Sequence, residues 1–274
     1  MAMVWTLSTL FLTRPLDAAP PISENPNPTP PAVEELIQSA EKVSENGDWA
    51  QAVLIYGQIL NDYPDTPIRD RIVRKLGEAH LKNQDPSAAA AVFETYAEEF
   101  PDSPELIDVL ADLAEAYIGM QDLERAGVAL ERERSLAEDP VRKAEITERI
   151  IQVQMERSDH LGAVENLLQL MQWQSDPADL ENSRKRIAVA VLQSTPDELG
   201  KLIERFDGKF PADIALLREA DQEEEQGLLF EADRDLRRFL LMFPDHPERS
   251  GVRSRLDRIK ESGLIPPPNG HGGP

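Results

Sequence analysis

The chain contains no cysteine. That excludes disulfide staples, thiolate metal ligands and a cysteine nucleophile, and it leaves the compartment open. Aromatic residues are scarce, at 5% of 274 residues, so few large rings are available to fill a core. Basic residues are outnumbered 29 to 51 by acids, giving a formal net charge of −22. Such a chain repels phosphate backbones, and nucleic acid is not among its expected partners. After the N-terminal stretch no apolar run reaches the roughly 18 residues a membrane helix needs, so the body of the chain is not expected to span a bilayer.

Motifs of catalysis are missing as well. There is no G-x-S-x-G, no glycine-rich phosphate loop and no H-E-x-x-H. The four histidines, His80, His160, His246 and His271, are too far apart in sequence for a paired-ligand motif. His80 fills an aromatic-like slot on a helix and reads as a packed histidine. His246 sits in a proline-bounded turn and reads as solvated, and His271 lies in a C-terminal stretch read as disordered. With 51 carboxylates, abundance removes the information that a catalytic pair would carry. No enzymatic activity, metal site or cofactor is expected.

What the chain does have is alanine, leucine, glutamate and arginine, side chains that lose little freedom in a helix. It opens on "MAMVWTLSTLFL" (Met1–Leu12), an apolar run of the length of an export-signal core, followed by small residues at Ala18 and Ala19. No basic residue precedes that run and Arg14 follows it, which fits a plain N-terminal segment instead. Residues 1–19 are therefore a candidate signal segment. Six prolines fall in the twelve residues from Pro20 to Pro31, which read as an extended linker. A helical domain is expected over 32–262, and "LIPPPNGHGGP" after it as a Pro/Gly-rich tail over 263–274.

A period runs through the domain. Asp48, Asp85, Asp122 and Asp159 are 37 residues apart, and Ala52, Ala89, Ala126 and Ala163 keep the same step. Prolines fall between them, at Pro64, Pro101, Pro140, Pro177, Pro211 and Pro244. Two alternating breakers per period predict two helices per unit. After Ala52, Ala89 and Ala232, apolar residues recur at offsets of 4, 7, 8 and 11, one face of a helix. The copy after Ala126 is eroded: Glu133 and Arg134 stand where apolar residues would, predicting a more solvated helix or a partner contact. Six antiparallel pairs follow, over 32–62, 68–100, 105–137, 141–174, 179–210 and 214–243, with a closing helix over 248–262. The fold class is all-α, an α-solenoid in which each pair hides its apolar face against its neighbours.

The phrase Tyr-Pro-Asp-Thr-Pro at Tyr63, repeated as Phe-Pro-Asp-Ser-Pro at Phe100 and Phe-Pro-Asp-His-Pro at Phe243, reads as the joint between pairs. The ring closes one helix and the first proline ends it. Thr66 and Ser103 are expected to cap the next helix with Pro67 and Pro104 in its first position, and His246 to cap less well.

"KLGEAHLKNQDPSAAAAVFETYAEEFP" (Lys75–Pro101), with Leu76-Gly77, Ala89, Phe93 and Pro101, resembles the tetratricopeptide repeat. The resemblance extends to Ala40, Ala52, Tyr56 and Pro64, to Leu113, Ala114, Tyr117 and Ala126, and to Ala220, Ala232 and Pro244. The fifth unit departs, with Leu199 in the alanine slot, so a different helix spacing is expected there. Arg237–Lys260 looks like the long-repeat class of bacterial envelope proteins, namely outer-membrane assembly lipoproteins and penicillin-binding-protein activators. That likeness implies a non-enzymatic periplasmic adaptor with a protein or peptide partner and peripheral envelope association. A cytosolic regulatory repeat protein and an accessory subunit of a larger enzyme or transport system are the alternatives.

In such scaffolds the first helices form the inner face. The resemblance places Glu34, Ile37, Glu41, Arg71, Arg74, Glu78, Asp108, Ala111, Glu115, Ile118, Glu145, Glu148, Gln152 and Met155 there. The Lys/Asn constellation with which family members clamp a C-terminal carboxylate is absent. The expected groove (Arg71, Arg74, Glu78, Asp108, Glu115, Ile118, Glu145, Glu148, Gln152, Met155) is mainly acidic, and a basic or mixed apolar segment suits it. Charge is uneven along the chain: residues 97–139 hold thirteen acids and three bases, whereas 232–262 hold six acids and eight bases.

Overall fold

A computed structural model describes residues 30–262. The N-terminal apolar run, most of the proline stretch, the C-terminal tail and His271 lie outside the described residues. Thirteen helices and no strand occur among them. They are α1 (Pro31–Glu45), α2 (Trp49–Asp62), α3 (Arg69–Lys82), α4 (Pro86–Glu99), α5 (Leu106–Gly119), α6 (Leu123–Leu136), α7 (Pro140–Glu156), α8 (His160–Met171), α9 (Pro177–Gln193), α10 (Pro196–Arg205), α11 (Ala212–Glu225), α12 (Leu229–Met242) and α13 (Arg249–Glu261). The described part is the all-α repeat stack that the period implied. Its first helix begins at Pro31, a proline assigned to the linker, with Pro30 as its N-cap residue. A missing N–H costs nothing at that position.

The 37-residue aspartates are N-caps of the second helices. The side chains of Asp48, Asp85, Asp122 and Asp159 accept hydrogen bonds from the backbone N–H groups of Gln51, Ala88, Arg125 and Gly162 at 3.0–3.1 Å. The residue before each aspartate, Gly47, Gln84, Gln121 or Ser158, sits at positive φ between 59° and 79°. That left-handed residue lets the aspartate N–H reach back to the first helix, for example Asp85 to the His80 carbonyl at 3.0 Å. Cap and left-handed residue together make the sharp reversal that folds one helix onto the next.

In the second unit the helices cross closely. A Cβ added to Gly77 would lie 2.4 Å from the Phe93 ring, so only glycine fits beneath that fully buried aromatic. The core runs as three clusters, centred on α1–α3, on α4–α7 and on α8–α13.

The joints differ from expectation in one respect. Helices α3 and α5 begin at Arg69 and Leu106, two residues beyond Pro67 and Pro104. Their first turns are closed by backbone instead: the Thr66 and Ser103 carbonyls accept from the N–H groups of Arg69 and Leu106, both at 3.1 Å. Ser103 Oγ does accept from the Glu105 N–H at 3.2 Å and also meets the Tyr96 hydroxyl at 2.7 Å. Thr66 Oγ1 is buried without a hydrogen-bond partner. His246 is partly buried and is not a poor substitute. Its Nδ1 accepts from the Glu248 N–H at 3.1 Å, Nε2 lies 3.3 Å from Asp213, and its ring meets Phe239 edge-on at 5.0 Å. An imidazole nitrogen reaches the same donor as the serine hydroxyl, and the ring adds apolar contact.

The fifth unit departs more than a spacing change. α9 packs on α8 and α11, and α10 packs on α8 and α11, so the two helices do not form a hairpin along each other. Leu199 is fully buried and fills the gap that an alanine would leave. α10 starts with a reciprocal cap: Thr195 Oγ1 accepts from the Glu198 N–H and Glu198 accepts from the Thr195 N–H. The other oxygen of Glu198 accepts from the N–H groups of His160 and Leu161 at 3.1 and 3.3 Å, pinning α10 to the start of α8. Burial opposes the charge on Glu198. The hydrogen bonds from Thr195 and Leu161 and the nearby His160 outweigh it and hold the carboxyl below its usual range.

Candidate functional site

The groove residues lie on first helices, and ion pairs between successive first helices organise them. Arg71 on α3 reaches Glu41 on α1 at 2.8 Å. Arg74 bonds Glu78 within its own helix and Glu105 just before α5, both at 3.0 Å; Glu78 also takes Lys75 at 2.7 Å. Arg142 on α7 donates to Asp108 on α5 at 2.6 Å. Arg186 on α9 donates two parallel hydrogen bonds to Glu148 on α7, at 2.9 and 2.8 Å. Such two-pronged pairs fix orientation as well as charge. Glu41, Glu105, Asp108 and Glu148 are therefore clamps between repeats, whereas Glu78 is spent within α3.

Glu115 and Glu145 are exposed and make no ion pair or hydrogen bond among the described residues, although Glu145 lies in the field of Arg142. Asp112, missed in the sequence reading, is half-buried on α5 in the field of Glu78 and Arg74 of α3. Burial, and then the Glu78 charge, push its carboxyl up to about 6, against the pull of Arg74. Among the residues of the expected groove, the acids without an ion pair are thus Glu115 on α5 and Glu145 near the start of α7.

Next to it the chemistry changes. Between α7 and α9 lies a cavity of about 540 Å³, floored by Ile151, Met155, Leu167 and Val189 and rimmed by Glu148, Arg149, Lys185 and Arg186. Gln152 also borders it. Val189 is 49% exposed and Leu192, one turn on, 50%. Of the sequence-predicted residues, Glu148, Gln152 and Met155 line this cavity; Arg71, Arg74, Glu78 and Asp108 do not. Ile118 stands exposed on α5.

A signal for the missed part was present. The 37-residue step that links Glu41, Glu78, Glu115 and Gln152 lands next on Val189, and the step through Leu81, Ile118 and Met155 lands on Leu192. One register position thus runs from acid through amide to valine across the groove. Following the step one unit further would have named both α9 residues. The cavity itself had no such signal, because it depends on how far α9 stands from α7.

Glu133 overturns the expectation of a solvated α6. It is 3% exposed, with Arg149 at 3.3 Å and Arg142 at 3.8 Å. Burial raises its carboxyl, while Arg149 and Arg142 pull it back. Arg149 also donates to the Ala111 carbonyl at 3.2 Å, and Arg134 donates to Asn166 at 2.6 Å. The two charged residues in apolar slots are tied into α5, α7 and α8 by long arginine side chains, which carry polar contacts across a helix pair.

A second acidic group lies at the far end. Carboxylate oxygens of Glu219, Glu223 and Asp235 come within 4.8 Å of one another between α11 and α12. Arg234 clamps Asp235 at 2.8 and 2.9 Å and approaches Glu223 at 3.6 Å. Burial first, then Asp235 and Glu219, push Glu223 up to about 7 against Arg234. His80 shows the opposite sign for the same cause: burial lowers it, with Asp85 at 4.0 Å opposing.

A tetratricopeptide-repeat family model matches residues 44–111, from the end of α1 into α5. With the helix pairs and the 37-residue caps of the units around it, that match supports a tetratricopeptide-type repeat protein. No curated protein matches the chain. Solved structures share parts of the stack. The crystal structure of MamA protein is 15% identical over 80% of this chain and 94% of that chain, with a TM-score of 0.45. A tetratricopeptide repeat protein from Parabacteroides merdae is 12% identical over 84% and 99%, with a TM-score of 0.49. The TPR2AB domain of yeast Sti1, in a complex with pHSP90, is 12% identical over 84% and 98%, with a TM-score of 0.34. No helix among the described residues is long and apolar enough to cross a membrane.

Proposed function

We propose that this chain is a non-enzymatic interaction scaffold of the cell envelope that holds a segment of a partner protein in the groove of its first helices. One observation carries the reading: unpaired carboxylates on α5 and α7 stand beside an apolar-floored cavity open to solvent. Solenoids offer extended surfaces of this kind, and pockets with an apolar floor and a few placed charges are the usual form of a binding site. The groove lacks any grouping of nucleophile, base and oxyanion donors, and its pairs serve to lock repeat to repeat.

A photo-crosslinking residue at Gln152, compared with one at Leu54 on the exposed face of α2, tests the groove in the native cell. A single identified protein joined through position 152 and not through 54 is the expected result. Equal labelling from both positions would remove the groove from the account. The envelope part rests on the N-terminal apolar run, the proline stretch after it and the likeness of Arg237–Lys260 to envelope repeats. Fusing residues 1–31 to a reporter that is active only outside the cytoplasm checks it, and a silent reporter would sink it.

A further inference from the structure

From the distribution of paired and unpaired charge along the groove, we infer that its occupant is an extended protein segment carrying a lysine or arginine about three residues from a bulky apolar side chain. This deepens the groove reading proposed above and rests on it. The apolar side chain enters the cavity between α7 and α9, over Ile151, Met155, Leu167 and Val189. The basic side chain lies over Glu115 and Glu145.

Commitment of the charges to one another decides what they can offer a partner. Around the cavity four charged residues form the rim, and three of them are cations, so a simple count favours an acidic partner. The cations are already engaged. Arg186 spends both terminal nitrogens on Glu148, and Arg149 spends its own on Glu133 and the Ala111 carbonyl. Lys185, 71% exposed, is paired with Glu181 on its own helix at 3.6 Å. Glu115 and Glu145 have no such partner. A cation arriving there meets carboxylates that need not give up another ion pair.

Spacing follows from α7 itself. Glu145 precedes the cavity residues Glu148 and Gln152 by three and seven positions, about 5 to 10 Å along the helix axis, and an extended chain rising about 3.3 Å per residue covers that in about two to three residues. The register position agrees: Glu115, Gln152 and Val189 occupy equivalent places on α5, α7 and α9 and change from acid to apolar along the line of the segment.

Three fluorescein-labelled peptides of equal length test the inference against the full chain by fluorescence anisotropy. One carries Lys and Leu three residues apart, the second Glu for that Lys, and the third Ser for that Leu. The Lys–Leu peptide should bind, and each replacement should weaken it about tenfold or more. Val189→Asp, and separately Glu115→Lys with Glu145→Lys, should each weaken the Lys–Leu peptide by a similar factor. All three positions are exposed, so the folded state tolerates them; Gln152→Trp, which blocks the mouth without adding charge, gives the same outcome by another route. If the Glu–Leu peptide binds best and Val189→Asp abolishes it, the charge assignment is wrong and the groove stands. If Lys–Leu binding ignores every variant, the inference and the groove both fall. No binding by any of the three overturns the inference.

Discussion

Between α1 and α8 every unit turns in the same way: a left-handed residue, a capping aspartate and a second helix laid along the first. Between α9 and α12 that device fails. α9 runs 17 residues and α10 only 10, and the helices bind α8 and α11 instead of each other. The last pair recovers the left-handed residue at Gly227 but has Leu228, 43% exposed and without a side-chain cap, where the aspartate would stand. The regular half is held by local signals renewed at every step. The irregular half is held by larger side chains and by contacts between units, and the groove's cavity opens at the junction of the two.

Leu199→Ala should have the largest effect. It restores the small residue of the regular units, but in a gap shaped for leucine, and should cost about 3 kcal/mol in urea unfolding. A loss under about 1 kcal/mol would mean that α10 collapses onto its neighbours, and that the fifth unit is regular after all.

Next is the acidic group between α11 and α12. The Glu223 carboxyl sits at about 7 in the folded chain against an ordinary 4.5, so the folded state binds the extra proton. Stability from this group is therefore lost as pH rises from the ordinary carboxylate range through about 7. Glu223→Gln should remove that dependence and leave the chain about 2 kcal/mol more stable than the parent near pH 8, less than the full shift would give because solvent screens the site. Unfolding curves at about pH 5 and about pH 8 decide it; parallel pH dependence in parent and variant would exclude the group.

Glycines separate the halves more finely. Gly77→Ala forces a methyl into Phe93 and should cost about 1–2 kcal/mol after the gain in helix propensity. Gly200→Ala on α10 meets nothing within 4 Å and should gain about 0.5 kcal/mol. Opposite signs in thermal unfolding are the expected result. Caps come next: Asp85→Ala should cost about 1 kcal/mol, and Leu228→Asp should gain a comparable amount by giving the last pair the missing acceptor. The smallest effect expected is at Gln121, held at φ 60°, where Gln121→Gly should gain about 0.5 kcal/mol because glycine adopts that conformation without strain.

The helix pairs were legible in the sequence because caps, breakers and apolar periodicity act within one or two turns. Of the candidate groove, the placing of ten residues on first helices was legible in the repeat, but their pairing was not. Glu148 and Glu145 look alike on one helix; only the structure shows the first clamped by Arg186 and the second facing solvent. The same limit misled the reading of Glu133. A carboxylate in an apolar slot reads as solvated until an arginine sixteen residues away is seen to cover it. His246 shows the converse, an unpromising cap made effective by Phe239 and Glu248.

By itself the sequence determined the class of the fold, the 37-residue step and the places of the joints, since each is written in residues that are neighbours along the chain. Tertiary structure alone decided which charges are spent, where α9 rests and that a cavity stands beside the free acids. Those features depend on side chains 16 to 38 residues apart, brought together only when one helix pair stacks on the next.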